Sequence, residues 1–372
     1  MRAEIIPLEP DPGNAGVGNG SASFFAAGVP DRVHHIFWRW FLVYKRVVLL
    51  LVLLMGICTL FAKGELVVYT YDSFLAGPAQ KIFPRFERMY DCTVKAYSFG
   101  DAGNLLARLI LERGDPKADV VIGLDQNLLL KAVEEGVLQP YKPINYTLIK
   151  DEGLLGPSWH GIPYDFGSIA IVYDSQEVES PPRSFQDLLD PRWRRSLIVE
   201  DPRTSSTGLA FLLWTVAVFG EEGFEKFWRA LKPNILTVTP GWDEAFQLFE
   251  QGEAPLMVSY ATDGAYSYHE YGSTRYRAVI PEEGAYVQIE YVGIVKGSSN
   301  LELAKRFVEF VLMDAFQKEL PLTQWMYPVT DVELPEAYKY AAKIEKVLTL
   351  PTELIKSKQE EWVKKWVAII SE

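Results

Sequence analysis

Aromatic residues and aspartates are the side chains of this sequence whose types and positions suggest chemistry. An aromatic ring attracts a cation by about 0.5–2 kcal/mol, and a nearby carboxylate adds charge attraction and accepts hydrogen bonds from an amine. Together they predict a binding site for an aromatic cation, although any one of these residues alone is more often part of a packed core. The aromatic residues lie within three positions of a Gly, Pro, Asp or Ser, and the aspartates lie among them: Tyr71, Tyr164, Trp242, Tyr260, Tyr266 and Trp325, with Asp72, Asp101, Asp125 and Asp165.

A polar run, DPRTSSTG at residues 201–208, separates a strand-like apolar segment from a helix-like one. Thr204 or Ser205 can cap the helix, because a hydroxyl oxygen accepts hydrogen bonds from the exposed amides of the first turn. The same amides and the helix dipole favour an anion or a hydroxyl of a ligand. Since four consecutive hydroxyls exceed what one cap needs, we predict that Ser205 and Ser206 also face a ligand.

From residue 65 onward, the chain alternates short β-rich runs with longer runs of helical periodicity. Such a series predicts a mainly parallel sheet covered by helices, and ligands of such sheets bind beyond the carboxyl ends of the strands. Tyr71, Asp101 and Asp125 lie at these predicted ends. The predicted strands are 65–71, 93–99 and 118–124, and the predicted helices are 77–90, 103–114 and 127–136.

Two long, β-rich and aromatic runs, at 161–174 and 285–297, enclose a second α/β series. We interpret them as strands that cross between two α/β lobes, with a ligand cleft between the lobes. Hinged closure of such lobes traps small solutes. The predicted first lobe comprises 65–165 and 288–372, with helices at 301–313 and 335–371, and the predicted second lobe is 166–287.

Residues 1–64 have the pattern of a leader. The uncharged segment 47–62 follows Lys45 and Arg46, and residues 1–30 are rich in Gly, Ala, Pro and Ser, which predicts disorder. Either the leader is a signal peptide cleaved before Glu65, or it is retained as a membrane anchor. Both alternatives place residues 65–372 outside the cytoplasm.

The overall charge and the available motifs exclude several classes of function. The formal net charge of -12 argues against a nucleic-acid partner, which would require a basic face. The sequence contains no phosphate-binding loop, no H-E-x-x-H and no G-x-S-x-G, and only His160 and His269 follow the leader. We therefore predict a monomeric binding protein, not an enzyme, without a metal or a cofactor.

A set of motifs in this order resembles the thiamine-binding proteins of bacterial and archaeal ABC importers, which belong to the two-lobed periplasmic binding proteins of type II. The resemblance covers nearly all of residues 65–372. The motifs are VVYTYDSF (67–74), ADVVIGLDQNLL (118–129), PYDFGSIAIVYD (163–174), DPRTSSTGLAFLLW (201–214), GWDEAF (241–246), VSYATDGAY (258–266) and WMYPV (325–329).

The resemblance implies a ligand, a partner and roles for particular residues. The ligand would be thiamine, thiamine monophosphate or thiamine pyrophosphate, and the partner would be the permease of an ABC importer. Trp242 and Tyr266 would stack on the rings of the ligand, and Asp101 or Asp125 would bind the aminopyrimidine. Ser205 and its neighbours would meet the hydroxyethyl arm or its phosphate, and the remaining lining would be Tyr71, Tyr260 and Trp325.

Four alternatives stay open at the level of sequence. Tyr260 and Tyr266 could instead be ligands of ferric iron, and the same fold could bind a polyamine. An uncleaved anchor would suit an extracytoplasmic sensor domain. An enzyme acting on thiamine phosphates would need an activated nucleophile or a metal set, and neither is visible in the sequence.

Overall fold

The computed structural model describes residues 43–48, 63–156 and 158–372. Residues 43–48 are helical, and Lys63–Glu372 forms a compact unit separate from Met1–Ala62. The predictions for residues 1–42 and 49–62, including most of the apolar leader segment, lie outside the described residues. Within the described ranges, none of the helices has the length and apolar character needed to cross a membrane.

The compact unit alternates strands and helices, as the periodicity predicts. The strands are β1 (Gly64–Thr70), β2 (Cys92–Ser98), β3 (Val120–Asp125), β4 (Leu138–Gln139), β5 (Ile162–Asp174), β6 (Leu197–Glu200), β7 (Ile235–Thr239), β8 (Leu256–Tyr260), β9 (Tyr276–Val279), β10 (Ala285–Val295), β11 (Tyr327–Pro328) and β12 (Val347–Leu348). The helices are α1 (Asp72–Ala76), α2 (Ala79–Tyr90), α3 (Ala102–Leu111), α4 (Gln126–Glu134), α5 (Ser206–Leu231), α6 (Trp242–Glu250), α7 (Asp263–Tyr271), α8 (Leu301–Val311), α9 (Asp314–Gln317) and α10 (Thr352–Ser371).

Eight strands form one hydrogen-bonded path in the order β2-β1-β3-β10-β5-β8-β6-β7. β1 pairs in parallel with β2 and β3, and β6 pairs in parallel with β7 and β8. We call β1–β3 with α1–α4 the first half, and β6–β8 with α5–α7 the second half. β3 reads as a continuous apolar run because every one of its residues is buried.

The two long strands lie side by side at the centre of this path. Tyr286–Val292 of β10 pairs antiparallel with Ile162–Ile169 of β5, and Ile169–Tyr173 of β5 then pairs with β8 of the second half. Both strands therefore connect the halves, as predicted for crossing strands. The lobe boundaries at residues 165 and 288 stay a prediction.

The segment 335–371 is not one helix, contrary to the sequence-based expectation. It contains a 3-10 turn at Glu336–Tyr340 and the short strand β12, and its α-helix begins only at Thr352. Pro351 explains the late start, because a proline cannot continue a helix from the residues before it and favours an extended residue ahead of it.

The C-terminal helix α10 contacts both halves. Its Trp366 packs edge-on against Trp228 of α5, with ring centroids 5.7 Å apart. Glu360 of the same helix forms an ion pair with Lys131 of α4, at 3.0 Å. The helix therefore contacts both halves, and its assignment to the first lobe stays a prediction.

Candidate functional site

A cavity of about 720 Å³ lies between the halves, beyond the carboxyl ends of their strands. It receives side chains from the start of α1 and the loop after β2 in the first half, and from α5, α6, α7 and β8 in the second. Its lining is Tyr71, Ser73, Asp101, Ser206, Thr207, Trp242, Asp243, Phe246, Tyr260, Thr262, Asp263, Tyr266, Glu290, Thr323, Gln324, Trp325 and Met326.

An unbroken run of aromatic rings forms one wall of this cavity. Trp242 stacks on Phe246 one helical turn later, with centroids 4.8 Å apart and planes inclined by 20°. Phe246 then meets Tyr266 edge-on at 5.3 Å, and Tyr266 meets Trp325 edge-on at 5.3 Å. Such a wall offers ring faces to a flat aromatic ligand, and several of its faces can attract a cation.

A hydrogen bond orients one tryptophan of this wall, and an unusual backbone conformation positions the other. The indole Nε1 of Trp242 donates a hydrogen bond to Ser259 Oγ at 2.8 Å, which fixes the ring plane. Trp325 has a φ angle of 60°, a left-handed conformation that is unusual for a residue with a large side chain. Backbone strain of this kind concentrates at ligand sites, and here it places an aromatic ring at the cavity.

Four carboxyl groups line the cavity, and the described lining contains no Lys, Arg or His. Burial is the main cause that raises the pKa of Asp243 to about 6. Burial likewise raises the pKa of Asp263 to about 7 and that of Glu290 to about 7. Because the protein itself supplies no cation here, a cationic ligand would compensate this charge.

Glu290 is held by hydroxyl donors at the base of the cavity. Tyr71 Oη donates to Glu290 Oε2 at 2.7 Å, Tyr164 Oη donates to the same oxygen, and Gln288 Nε2 donates to Oε1 at 3.3 Å. Asp165 is its direct partner on the paired strand, and neither oxygen of Asp165 has a hydrogen-bond partner among the described residues. Burial and the charge of Glu290 raise the pKa of Asp165 well above its usual range.

Asp101 joins the two halves of the molecule. It caps α3, since its Oδ1 accepts from Ala102 N at 2.6 Å, and its Oδ2 accepts from Trp242 N at 3.1 Å. Gly241 precedes α6 and has no side chain with which to cap it, so the carboxylate of Asp101 fulfils that role from the opposite half. The adjacent Gly103 N donates to Thr204 O at 2.9 Å, which adds a second link between the halves.

The hydroxyl residues at the start of α5 have two different roles, helix capping and lining the cavity. Ser205 is the N-cap, and its Oγ accepts from Gly208 N at 3.3 Å, which places it outside the cavity lining. Ser206 and Thr207 do line the cavity, and Thr207 Oγ1 lies 3.0 Å from Tyr260 Oη. The stretch therefore caps a helix and also contributes to the cavity, but through Ser206 and Thr207.

The structure brings seven of the nine predicted site residues together at the cavity, and Ser205 and Asp125 are not among them. Asp125 is fully occupied by its own helix, because Oδ1 accepts from Asn127 N at 3.1 Å and from Leu128 N at 2.7 Å. Its Oδ2 accepts from Asn127 Nδ2 at 2.8 Å. A carboxylate held in this way caps α4 and does not reach the cavity.

Ten of the 17 lining residues lie outside the predicted set, and three of them show what the sequence could and could not reveal. Phe246 lies four positions after Trp242 and Asp263 three positions before Tyr266, so helical spacing from a predicted aromatic residue could have found both. Glu290 lies in the middle of a predicted crossing strand, and only its pairing with β5 brings it to the cavity. Within the described residues, no cluster of three or more His, Cys, Asp or Glu side chains has the arrangement of a metal site.

Two α/β halves joined by paired central strands, with a cavity between them, define a two-lobed periplasmic binding protein. The profile of the family "Bacterial extracellular solute-binding protein" matches residues 115–348. The chain belongs to this family, and as a member of it the protein functions outside the cytoplasm.

Two bacterial relatives specify the comparison further. The chain is 38% identical over 314 residues to the thiamine-binding periplasmic protein of Brucella melitensis, covering 83% of this chain and 93% of the relative. It is 36% identical over 327 residues to the protein of the same name in Escherichia coli, covering 86% and 98%. These relatives are binding proteins.

Solved structures agree with the assignment of the chain to this family. A structure of a periplasmic thiamin binding protein superposes with a TM-score of 0.80 at 35% identity, covering 84% of this chain and 98% of that one. The apo ferric ion-binding protein A of Pasteurella haemolytica superposes with a TM-score of 0.70 at 18% identity, a likeness of fold alone.

Proposed function

We propose that this protein is the receptor that captures thiamine outside the cytoplasm and delivers it to the permease of an ABC importer. The observation that carries the proposal is the composition of the cavity lining. An aromatic wall and four carboxyl groups, without a cationic side chain in the described lining, complement a flat, positively charged ligand. Thiamine has this chemistry, with an aminopyrimidine ring and a thiazolium cation.

The named relatives supply the second line of support, because both are thiamine-binding periplasmic proteins by name. Ferric iron would need hard or imidazole ligands clustered at one point, and it would leave the aromatic wall without a purpose. A linear polyamine would satisfy the carboxyl groups but would make little use of stacked rings. Both rivals therefore explain less of the lining than thiamine does.

Seven residues are proposed to contact the ligand. Trp242 and Tyr266 would stack on its rings, and Ser206 would meet its hydroxyethyl arm near the start of α5. The carboxyl groups would balance the positive charge of the thiazolium ring. The complete set is Tyr71, Asp101, Ser206, Trp242, Tyr260, Tyr266 and Trp325.

We also propose that the protein acts as a monomer and performs no catalysis. Binding and release are sufficient for a receptor that hands its ligand to a permease. The cavity offers no histidine and no cysteine as a nucleophile or base among its described lining residues. Incubation with thiamine pyrophosphate should therefore release no inorganic phosphate.

Calorimetric titration tests the proposal. The purified full-length protein is unfolded and refolded to remove carried ligand, and it is then titrated with thiamine, thiamine monophosphate and thiamine pyrophosphate. We expect one-to-one binding of thiamine with a Kd of about 1 µM or tighter. Each added phosphate should weaken binding, because the cavity carboxyl groups repel an anion. Absence of heat with all three, from protein whose fold is verified, would overturn the proposal, and ferric citrate and spermidine would be titrated next.

A further inference from the structure

Asp263 is a cavity residue to which the motifs of the sequence assign no role. It is the first residue of α7, it lines the cavity, and only 3% of its surface is exposed. Tyr266, three residues later on the same helix, belongs to the aromatic wall. The carboxyl group is therefore fixed beside a ring that is proposed to stack on the ligand.

One oxygen of this carboxyl group is unused. Oδ2 of Asp263 is buried and has no hydrogen-bond partner among the described residues. The Ser259 side chain and the Tyr260 backbone hydrogen-bond to the carboxyl group and favour its ionised form. Ser259 also holds the indole of Trp242, so Asp263 and Trp242 share one support.

The charged groups that act on Asp263 among the described residues are other carboxyl groups. The carboxyl groups of Glu250 and Glu200 act on it electrostatically, and both oxygens of Glu200 also lack partners among the described residues. A buried acceptor without a donor has lost the hydrogen bonds that water would supply, and this loss is more costly for a charged group. A ligand that brings an N–H donor to Oδ2 would recover that free energy.

Three other carboxyl groups, those of Asp101, Asp125 and Glu290, are less suited to this task because described residues already donate to them. Asp101 already accepts from Ala102 N and Trp242 N, and Asp125 accepts three hydrogen bonds around its own helix. Both oxygens of Glu290 are also occupied. Among these four acids, Asp263 alone presents an oxygen that has no partner in the described part of the chain.

We propose that Asp263 determines specificity by accepting a hydrogen bond from the exocyclic amino group of the ligand's aminopyrimidine. The inference rests on the proposed thiamine-binding function and replaces the sequence-based assignment of this role to Asp101 or Asp125. It requires the pyrimidine to lie at the Tyr266 end of the aromatic wall, with its amino group directed toward the start of α7. The thiazolium ring and the hydroxyethyl arm then extend toward α5.

The test compares thiamine with oxythiamine, in which an oxo group replaces the amino group. Wild-type protein should bind thiamine at least about tenfold more tightly, because oxythiamine presents an acceptor to an acceptor. Asp263→Asn should lose about tenfold or more in thiamine affinity while binding oxythiamine as well as the wild type does, or better, since the amide can donate. The measured quantity is the ratio of the two dissociation constants.

Asp243→Asn is the matched control. Asp243 also lines the cavity, and its removal should weaken both cations by a similar factor and leave the ratio of their dissociation constants unchanged. Asp263→Ser serves as a second variant if the asparagine variant does not fold, and it should also reduce the preference for thiamine. Circular dichroism verifies the fold of each variant.

The outcomes separate the two proposals. If wild-type protein binds thiamine and the ratio is the same in a folded Asp263 variant, the specificity role of Asp263 is wrong and the receptor function stands. If wild-type protein binds neither ligand, both proposals fail. A ratio that falls in the Asp263 variants and not in Asp243→Asn supports the inference.

Discussion

Asp101 and Asp125 occupy equivalent places in the chain, yet they do different things. Each follows a parallel strand of the first half and caps the helix that comes next. The three hydrogen bonds that the Asp125 carboxyl group accepts come from Asn127 and Leu128, in the first turn of its own helix. Asp101 keeps one oxygen for Trp242 N, 141 residues away in the other half.

The difference follows from where the two strands lie in the sheet. β2, which precedes Asp101, and β7, which precedes Trp242, are the two outermost strands of the eight-strand path. A flat sheet of this size would hold them about 30 Å apart, given a spacing of about 4.8 Å between neighbouring strands. Their carboxyl ends meet at hydrogen-bonding distance because the sheet curls, and this meeting encloses the cavity. β3 lies inside the path, so the helix after it remains within the first half.

The largest expected effect is the difference between alanine variants of these two aspartates in thiamine affinity and in the free energy of unfolding. Asp101→Ala removes a charged acceptor from Trp242 N and from the cavity, which should weaken thiamine binding by about 100-fold. Asp125→Ala should change the affinity by less than about threefold, and it should lower the free energy of unfolding by about 1 kcal/mol through the lost cap. Calorimetry gives the affinities, and urea denaturation gives the stabilities.

Asp125→Asn is the control for this pair. Asparagine caps a helix about as well as aspartate does, so this variant should avoid the loss of capping stability expected in Asp125→Ala and keep wild-type affinity. A loss of affinity in Asp125→Ala as large as that in Asp101→Ala would show that the two positions are not functionally distinct.

A second comparison concerns Trp242, a ring of the cavity wall, and Ser205, a hydroxyl residue outside the lining. Trp242→Ala removes a stacking face and the indole that Ser259 holds, and it should weaken thiamine binding by about 30-fold or more. Ser205→Ala removes a cap that lies outside the lining, so its affinity should stay within about threefold. Calorimetric titration of both variants with thiamine measures these affinities. Small and equal losses of affinity in the two variants would refute the proposed role of the aromatic wall.

The link between the halves can be tested without altering the cavity lining. A Cβ at Gly103 would lie 2.6 Å from Thr204 O and 2.8 Å from Arg203 O, so Gly103→Ala should hold the halves apart. We expect thiamine affinity to fall by about tenfold, with a larger radius of gyration in small-angle scattering of the ligand-bound protein. Gly156→Ala is the control, since its new Cβ would meet side-chain carbons no closer than 3.5 Å. Unchanged affinity in Gly103→Ala would mean that this contact is not needed for binding.

The sequence predicts most of the fold and about the right region for the site. The strands and helices predicted between residues 65 and 136, and the segments 161–174, 285–297 and 301–313, lie close to their observed bounds, because their apolar periodicity is strong. The extended segment before Thr352 was missed, since its pairing with β10 is a long-range contact that no local pattern encodes.

The site residues also differ in whether a local sequence pattern or a long-range contact determines their position. Tyr71, Trp242 and Tyr266 could be found because their type and position at strand or helix ends are visible in the sequence. Asp125 has the same local pattern and is not at the cavity, and its carboxyl group instead accepts hydrogen bonds from the first turn of α4. The sequence cannot express that a buried carboxyl oxygen of the cavity lining remains without a donor among the described residues, as Oδ2 of Asp263 does.

The smallest expected effect concerns pH, and it again separates Asp125 from the cavity. Burial raises the pKa of Asp125 to about 6, as it does for Asp243, and it raises the pKa of Asp263 and of Glu290 to about 7. In the unfolded chain these groups lose their protons near pH 4, so between pH 4 and pH 7 the folded protein binds more protons. The free energy of unfolding of the empty protein should therefore decrease as the pH rises through this range and then level off.

Thiamine affinity should change in the opposite direction. A cationic ligand favours ionised carboxyl groups, so binding should become severalfold tighter between pH 6 and pH 8 as Asp243, Asp263 and Glu290 lose their protons. Asp125→Asn should reduce the pH dependence of stability and leave the pH dependence of affinity intact, because residue 125 does not reach the cavity. Thermal denaturation and calorimetry at constant ionic strength measure the two trends. Affinity that is equal or tighter at pH 6 would mean that the cavity carboxyl groups do not balance the charge of the ligand.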